Sequence, residues 1–293
     1  MKHEHKINYN TKINIVSLGK KKFYNKFLKL NFSKNLAKQN INKIYYNSNV
    51  SAEQILIDDR YYIECNFNII KNFVKKKNFL RIYYKNNVVA VYLKKKVEKD
   101  KIKKLFKSNV IFGKKNKFKI FCIDLSKNKT KKKTFKTISE KQRALFIDRD
   151  GTINKDSGYT HKFNSKQIFK TTLSYMKKYS LNNNIIIIVT NQAGIAKKKF
   201  LLSDFEKYMD KLKNFLLKNN VTINKIYFCP HHEEGFGKFK KNCNYRKPGI
   251  GMIKKGINYF KLSKKNCEYL GNNDIDKLCA YKSKIIYKHV NEI

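Results

Sequence analysis

An apolar run that ends abruptly in two carboxylates constrains this chain more than any other feature. Leu145-Phe146-Ile147 leads directly into Asp148-Arg149-Asp150-Gly151-Thr152-Ile153-Asn154. In an extended strand residues i and i+2 face the same way, so Asp148 and Asp150 are expected to converge where the strand leaves its sheet. In parallel α/β folds that edge is where ligands bind. Two carboxylates this close repel each other, and a hard cation such as Mg²⁺, which takes oxygen ligands, resolves the conflict. Taken alone, Asp-x-Asp also describes an acidic turn; the Gly-Thr that follows and the segments downstream favour a site.

The same pattern of apolar strand followed by polar motif recurs three more times. Ile185–Val189 ends in Thr190-Asn191-Gln192-Ala193-Gly194, Ile226–Phe228 runs into Cys229-Pro230-His231-His232, and Tyr269-Leu270 precedes Gly271-Asn272-Asn273-Asp274-Ile275-Asp276. Between them the spacing predicts helices over Ile168–Tyr179 and Met252–Phe260. A third is opened by a capping box of Ser203 and Glu206 and carries Phe205, Met209, Leu212 and Leu216 on one face. Strands alternating with helices imply a parallel sheet covered on both faces. Thr190 then offers a hydroxyl and backbone N–H groups to an anion, and Lys247, held by Pro248, supplies a positive point charge. With Mg²⁺ on the first strand these make a phosphoryl-binding pocket.

Composition is informative mainly by exception. The chain has 62 lysines against 5 arginines and a formal net charge of +46. Such a charge points first to nucleic acid. The lysines, however, are spread along the whole chain without an aromatic platform or nucleic-acid motif, and a bias toward A- and T-rich codons accounts for Lys, Asn, Ile, Phe and Tyr together. Residues that this bias disfavours mark the functional half: Pro230 and Pro248 are the only prolines, nine of the eleven glycines follow residue 150, and Arg149 and Arg246 fall inside the motifs. Six scattered cysteines read as reduced thiols with a possible metal pair. No apolar window of membrane-spanning length and no signal-peptide core is present, so a soluble cytoplasmic protein is expected. The lysine-rich stretch Ser126–Lys136 reads as a connector, dividing a basic α/β domain at 1–140 from a second domain at 141–293.

In the second domain, residues 144–290 resemble the haloacid dehalogenase superfamily, and within it the D,D-heptose 1,7-bisphosphate phosphatase subgroup. Asp148–Asn154 is similar to the first motif of that subgroup, Asp156-Ser157-Gly158-Tyr159 to its early substrate loop, and Thr190–Ala196 to its second motif. Cys229–His232 and Arg246-Lys247-Pro248 resemble its zinc loop and third motif. Histidinol-phosphate phosphatases share the metal loop and are the alternative. The resemblance implies a Rossmann-like fold and a Mg²⁺-dependent phosphatase in which Asp148 forms an aspartyl-phosphate, Asp150 is acid and base, and Thr190 and Lys247 offset phosphoryl charge. It also implies that Asp156, Ser157, Gly158, Tyr159, Asn191, Gln192, Ala193 and Arg246 hold a phosphorylated sugar. Mg²⁺ would fall to Asp148, Asp150, Asn272 and Asp276, and Zn²⁺ to Cys229, His231 and Cys243. No nucleic acid or membrane partner is implied, and a monomer is expected.

Two positions depart from the pattern. Where the family has a metal-binding Asp in its fourth motif this chain has Asn272, which offers an amide oxygen without charge. Where the zinc loop has its last Cys this chain has Tyr245, leaving three ligands for a metal that usually takes four in structural sites. Either departure also suits a catalytically impaired scaffold. In the first domain, Gln54–Ile63, Phe67–Val74 and Phe121–Asp124 faintly resemble a sugar-phosphate nucleotidyltransferase whose glycine-rich nucleotide signature is missing, which implies a shortened, inactive remnant; an unrelated basic scaffold is the alternative.

Overall fold

The computed structural model describes residues 3–9, 11–16, 36–41, 43–46, 53–58, 61–73, 79–84, 87–93, 121–124 and 142–293. The Ser126–Lys136 connector, the boundary near residue 140, Asp59-Arg60 and Val74 lie outside the described residues. The chain divides into two units. One comprises residues 3–7, 142–180 and 184–293; the other comprises the described residues from 8 to 124 together with 181–183. Residues 3–7, assigned by sequence to the first domain, therefore belong with the second.

The unit that carries the motifs is built on a six-stranded sheet. Its strands are β1 (Glu4–His5), β9 (Ala144–Ile147), β10 (Ile185–Asn191), β11 (Lys225–Cys229), β12 (Cys267–Gly271) and β13 (Ile286–His289), in the order β1-β11-β10-β9-β12-β13. The five strands from β11 to β13 are parallel, and β1 pairs antiparallel with β11 at the edge. The expected Rossmann-like α/β fold is present. Ile185 to Val189 form a strand because five successive β-branched side chains suit a pleated surface buried on both faces. Their alternation splits them between two cores. Ile186 and Ile188 join Leu145, Ile147, Ile226 and Phe228 under α1 (Lys170–Leu181) and α3 (Leu202–Lys218). Ile185, Ile187 and Val189 join Phe146, Tyr227 and Tyr269 under α4 (Gly251–Phe260) and α5 (Asp274–Ser283).

α3 realises the predicted helical spacing: Phe205, Met209, Leu212 and Leu216 are all fully buried. Its start differs from the prediction, because the helix begins at Leu202 and the Asp204 carboxylate reaches back to the Leu201 N–H at 3.0 Å. Ser203 therefore lies inside the first turn and cannot cap it. The short α2 (Ala193–Ala196) follows β10 directly.

Strand order fixes where a ligand can enter. From the central β9 the chain proceeds to β10 and β11 on one side, then returns to β12 on the other. That reversal opens a crevice at the carboxyl ends of β9, β10 and β12.

The other unit has a mixed sheet of β2 (Lys12–Val16), β3 (Lys43–Tyr46), β4 (Gln54–Asp58), β6 (Phe79–Tyr84) and β7 (Asn87–Leu93), ordered β3-β2-β4-β7-β6. A separate pair joins β5 (Tyr61–Glu64) and β8 (Phe121–Asp124) antiparallel. Ile55, Leu56 and Ile57 of β4 are buried, consistent with its apolar run.

Candidate active site and metal centre

Three of the four strand-end motifs, those on β9, β10 and β12, meet at the crevice. Asp148 directly follows β9, and its N–H donates to the Leu270 carbonyl of β12 at 3.1 Å, which locks the first and fourth motifs side by side. Thr190 and Asn191 close β10, which runs two residues beyond the predicted Val189. The convergence of Asp148 and Asp150 arises differently from the strand alternation expected. The strand stops at Ile147, and Asp150 sits in a tight loop whose Thr152, Ile153 and Asn154 N–H groups all turn back to the Arg149 carbonyl.

Lys247 is the centre of the arrangement. Its Nζ donates to Asp148 Oδ1 at 2.6 Å and to Asp276 Oδ1 at 2.7 Å, and all three residues are buried. Burial works against the Lys247 ammonium, but Asp148 and Asp276 outweigh it and raise its pKa. Burial also pushes the Asp148 carboxyl up, to about 7, with Lys247 pulling it down and the charges of Asp276 and Asp150 adding to the rise. Asp276 Oδ1 accepts a further bond from the Tyr269 hydroxyl at 2.9 Å, and its Oδ2 accepts from the Asn272 N–H at 3.3 Å. Both oxygens are thus taken by protein donors. Asp276, expected among the Mg²⁺ ligands, serves here as a counter-ion that fixes Lys247.

Asp150 is held just as firmly. Arg149 grips it with a fork, Nε to Oδ1 at 2.9 Å and Nη2 to Oδ2 at 2.6 Å. Asn154 Nδ2 and Gln192 Nε2 complete its set at 3.2 and 3.0 Å. These four donors fix the orientation of the Asp150 carboxylate. Arg149 had no role assigned from sequence, yet it is 1% exposed, lies 4.5 Å from the centre of the Tyr208 ring, and also donates to the Thr160 carbonyl at 2.8 Å. It ties the end of the Asp156–Tyr159 loop to Asp150. That loop is exposed at Asp156, Ser157, Gly158 and Tyr159 and bends through an Asp156 Oδ1 bond to the Gly158 N–H at 2.9 Å.

Two residues expected to touch substrate turn inward. The Asn191 amide pairs with both backbone groups of Lys247, donating to its carbonyl at 3.0 Å and accepting from its N–H at 2.9 Å. Gln192 bridges Asp150 and Thr190 with one Nε2, reaching the threonine oxygen at 2.8 Å. Because that bond uses Thr190 Oγ1 as acceptor, the Thr190 hydroxyl retains its capacity to donate. Ala193 opens α2 beside them. Asn272 does lie over the first motif: its Oδ1 accepts from Thr152 Oγ1 at 3.2 Å, and a Cβ on Gly151 would fall 2.2 Å from its Nδ2. Only glycine permits that approach, at a backbone φ of +77°. Asp148 and Asn272 both offer oxygen to Mg²⁺, a donor type that a hard cation accepts.

A second cluster of potential metal ligands contains a residue that sequence spacing did not reveal. Cys229, His231 and Cys243 come together as expected, and His3 joins them; their ligand atoms all lie within 4.8 Å of one another. Cys229 Sγ is 3.8 Å from His231 Nδ1, and Cys243 Sγ is 4.0 Å from His3 Nε2. Burial and nearby cationic groups lower the His231 pKa to about 4, and burial pushes the Cys229 thiol up to about 12. Tyr245 stands beside the cluster, its ring stacked on His3. Arg246 Nη1 donates to the His231 carbonyl at 3.4 Å, which links this loop to the crevice. Two sulfurs and two imidazole nitrogens are a donor set that zinc accepts.

Residues 119–275 match the family model described as polynucleotide kinase 3 phosphatase. The chain is 35% identical over 147 residues to a probable D-glycero-D-manno-heptose-1,7-bisphosphate 7-phosphatase of Thermoplasma volcanium, covering 50% of this chain and 97% of that protein. It is 34% identical over 105 residues to the D-glycero-beta-D-manno-heptose-1,7-bisphosphate 7-phosphatase of Haemophilus influenzae, covering 36% of this chain and 57% of that one. Among solved structures, the D,D-heptose 1,7-bisphosphate phosphatase of B. bronchiseptica, complexed with magnesium and phosphate, matches with a TM-score of 0.45 and 22% identity over 50% of this chain and 79% of that one.

Proposed function

This chain belongs to the polynucleotide kinase 3 phosphatase family, in the heptose bisphosphate phosphatase subgroup of the haloacid dehalogenase superfamily, and from that premise we propose that it is a Mg²⁺-dependent phosphatase removing the 7-phosphate of D-glycero-D-manno-heptose 1,7-bisphosphate. The observation that carries the reading is a buried Asp148 held at 2.6 Å by an equally buried Lys247 at the mouth of a parallel sheet. A carboxylate so placed is a nucleophile with its counter-charge already installed.

In the proposed reaction an Asp148 carboxylate oxygen attacks phosphorus and the bond from phosphorus to the sugar oxygen breaks. Asp150, swinging out of the Arg149 fork, gives its proton to the departing oxygen. It then takes a proton from water, whose oxygen attacks phosphorus, releasing phosphate and regenerating Asp148. Lys247 and the Thr190 hydroxyl offset charge on the equatorial oxygens. Mg²⁺, held by Asp148 and Asn272, supplies further charge neutralisation when bound. Arg246 and the Asp156–Tyr159 loop face the sugar, while Asn191 and Gln192 position Lys247, Thr190 and Asp150. Zn²⁺ on the Cys229 loop belongs to the same proposal, as the anchor of the segment that carries Arg246.

Among the described residues no helix is long and apolar enough to cross a membrane. A monomer working in the cytoplasm, and descent of the first unit from a nucleotidyltransferase, complete the proposal, the latter supported by its mixed α/β-type sheet order. The test is phosphate release from a panel of sugar phosphates and histidinol phosphate, with and without Mg²⁺. One phosphate released per heptose 1,7-bisphosphate, only with Mg²⁺, is the expected result. Preference for histidinol phosphate would replace the substrate, and no release from any compound would favour a scaffold lacking activity, the reading that Asn272 supports.

A further inference from the structure

We propose that His3 is the fourth ligand of a zinc site whose other ligands are Cys229, His231 and Cys243, so that the metal clips the β1 segment onto the edge of the catalytic sheet. The inference rests on the zinc part of the proposed function and adds a ligand from the opposite end of the sequence. Four observations support it.

The first is spacing. Around zinc the bond lengths of about 2.0–2.3 Å put neighbouring tetrahedral ligands about 3.3–3.8 Å apart. Cys229 with His231 at 3.8 Å and Cys243 with His3 at 4.0 Å are close to that spacing, and all the ligand atoms lie within 4.8 Å of one another. Next comes the orientation of the ring. His3 Nδ1 lies 3.2 Å from the Phe228 carbonyl, which can only accept, so Nδ1 carries the proton and Nε2 presents its lone pair to the cluster. A ligating histidine is usually fixed in this way, through a bond from its other nitrogen.

Anchoring of the segment is a third. Glu4 and His5 pair with Tyr227 and Ile226, the Phe228 N–H donates to the His3 carbonyl at 3.1 Å, and Glu4 forms an ion pair with Lys225 at 2.5 Å. These contacts deliver His3 beside Cys229 at the end of β11 without reference to any metal. Finally, Tyr245 occupies the sequence position where the subgroup has its last zinc-loop Cys, and its ring stacks on His3 at 4.2 Å with planes 16° apart. The residue that removed one ligand thus packs against the residue that replaces it. Two thiolates and two neutral imidazoles give a closed, neutral site of the structural type.

The test measures metal directly on the full-length chain without an affinity tag. Zn²⁺ content and affinity, by competition with a chromogenic chelator, would be compared for wild type, His3→Ala, Cys243→Ser and the double variant His3→Ala/Tyr245→Cys, each checked for native circular dichroism. Co²⁺ would be bound to each in parallel and its visible ligand-field bands recorded. Wild type should bind one Zn²⁺ with tetrahedral Co²⁺ bands. His3→Ala should weaken Zn²⁺ by more than about 100-fold, since even losing a bond that merely orients a ligand costs about 10–100-fold. The double variant should regain affinity, with a Co²⁺ spectrum shifted toward three thiolates. If Cys243→Ser abolishes Zn²⁺ binding while His3→Ala leaves affinity and spectrum at wild-type values, His3 is not a ligand and the inference falls, though the zinc loop stands. If wild type itself binds no Zn²⁺, the zinc reading falls and takes the inference with it.

Discussion

Lys247 shows how much of this site is spent on holding one charge. A buried ammonium is costly unless paired and hydrogen-bonded, and here Asp148 and Asp276 provide the pairing while Asn191 fixes the backbone from which the side chain extends. Asn191→Ala leaves all charges in place but frees that backbone. Since a displacement of about 1 Å can cost about 100-fold in rate, kcat should fall roughly 10–100-fold with the Mg²⁺ midpoint little changed, which steady-state kinetics at varied Mg²⁺ will resolve. Asn272→Asp should act on the metal alone. The carboxylate can keep the bonds that Asn272 Oδ1 accepts from Thr152 and Asn273 while adding a full charge beside Asp148. A gain of ~1.4 kcal/mol lowers the Mg²⁺ concentration for half-maximal activity about tenfold. An unchanged midpoint would mean that Asn272 does not face the metal.

At the scale of elements, stability and precision come from the two apolar layers that clamp the sheet. Leu212 of α3 is fully buried against strand residues of one layer, so Leu212→Ala should destabilise the unit by about 2–5 kcal/mol in chemical denaturation, with the activity per folded molecule retained. The central elements were legible because their signals are local. Ile185 to Val189 can be little else than a doubly buried strand, and Asn273 before Asp274 and Asp276 is a cap and acidic first turn, though the helix it opens was not anticipated. The Ser203–Glu206 box failed because Asp204 has the same spacing to Leu201 and the helix starts two residues earlier. β1 was not legible: two residues, Glu4 and His5, have no period, and their partner strand lies more than 200 positions away. The same separation hid His3 from the cluster. Asp276 and Asn191 both bond to Lys247, and whether a polar side chain faces ligand or a neighbouring lysine depends on rotamers that no spacing encodes.

For the whole molecule, a formal charge of +46 is the dominant global property. Spread over the chain, it repels itself, and salt screens that repulsion within about 10 Å at 0.1 M. Raising NaCl from low to moderate concentration should therefore raise Tm, by about 2–4 °C for each kcal/mol of repulsion relieved; a falling Tm would show that specific ion pairs outweigh the net charge. The sign of the charge also suits a phosphorylated substrate. The central claim is that this crevice breaks a phosphate ester through Asp148. Phosphate release from D-glycero-D-manno-heptose 1,7-bisphosphate by wild type and by Asp148→Asn, in the same Mg²⁺-containing buffer, tests it most directly. The account predicts turnover by wild type and none by Asp148→Asn, whose shape is kept while the nucleophile is lost; release by Asp148→Asn at the wild-type rate would contradict it.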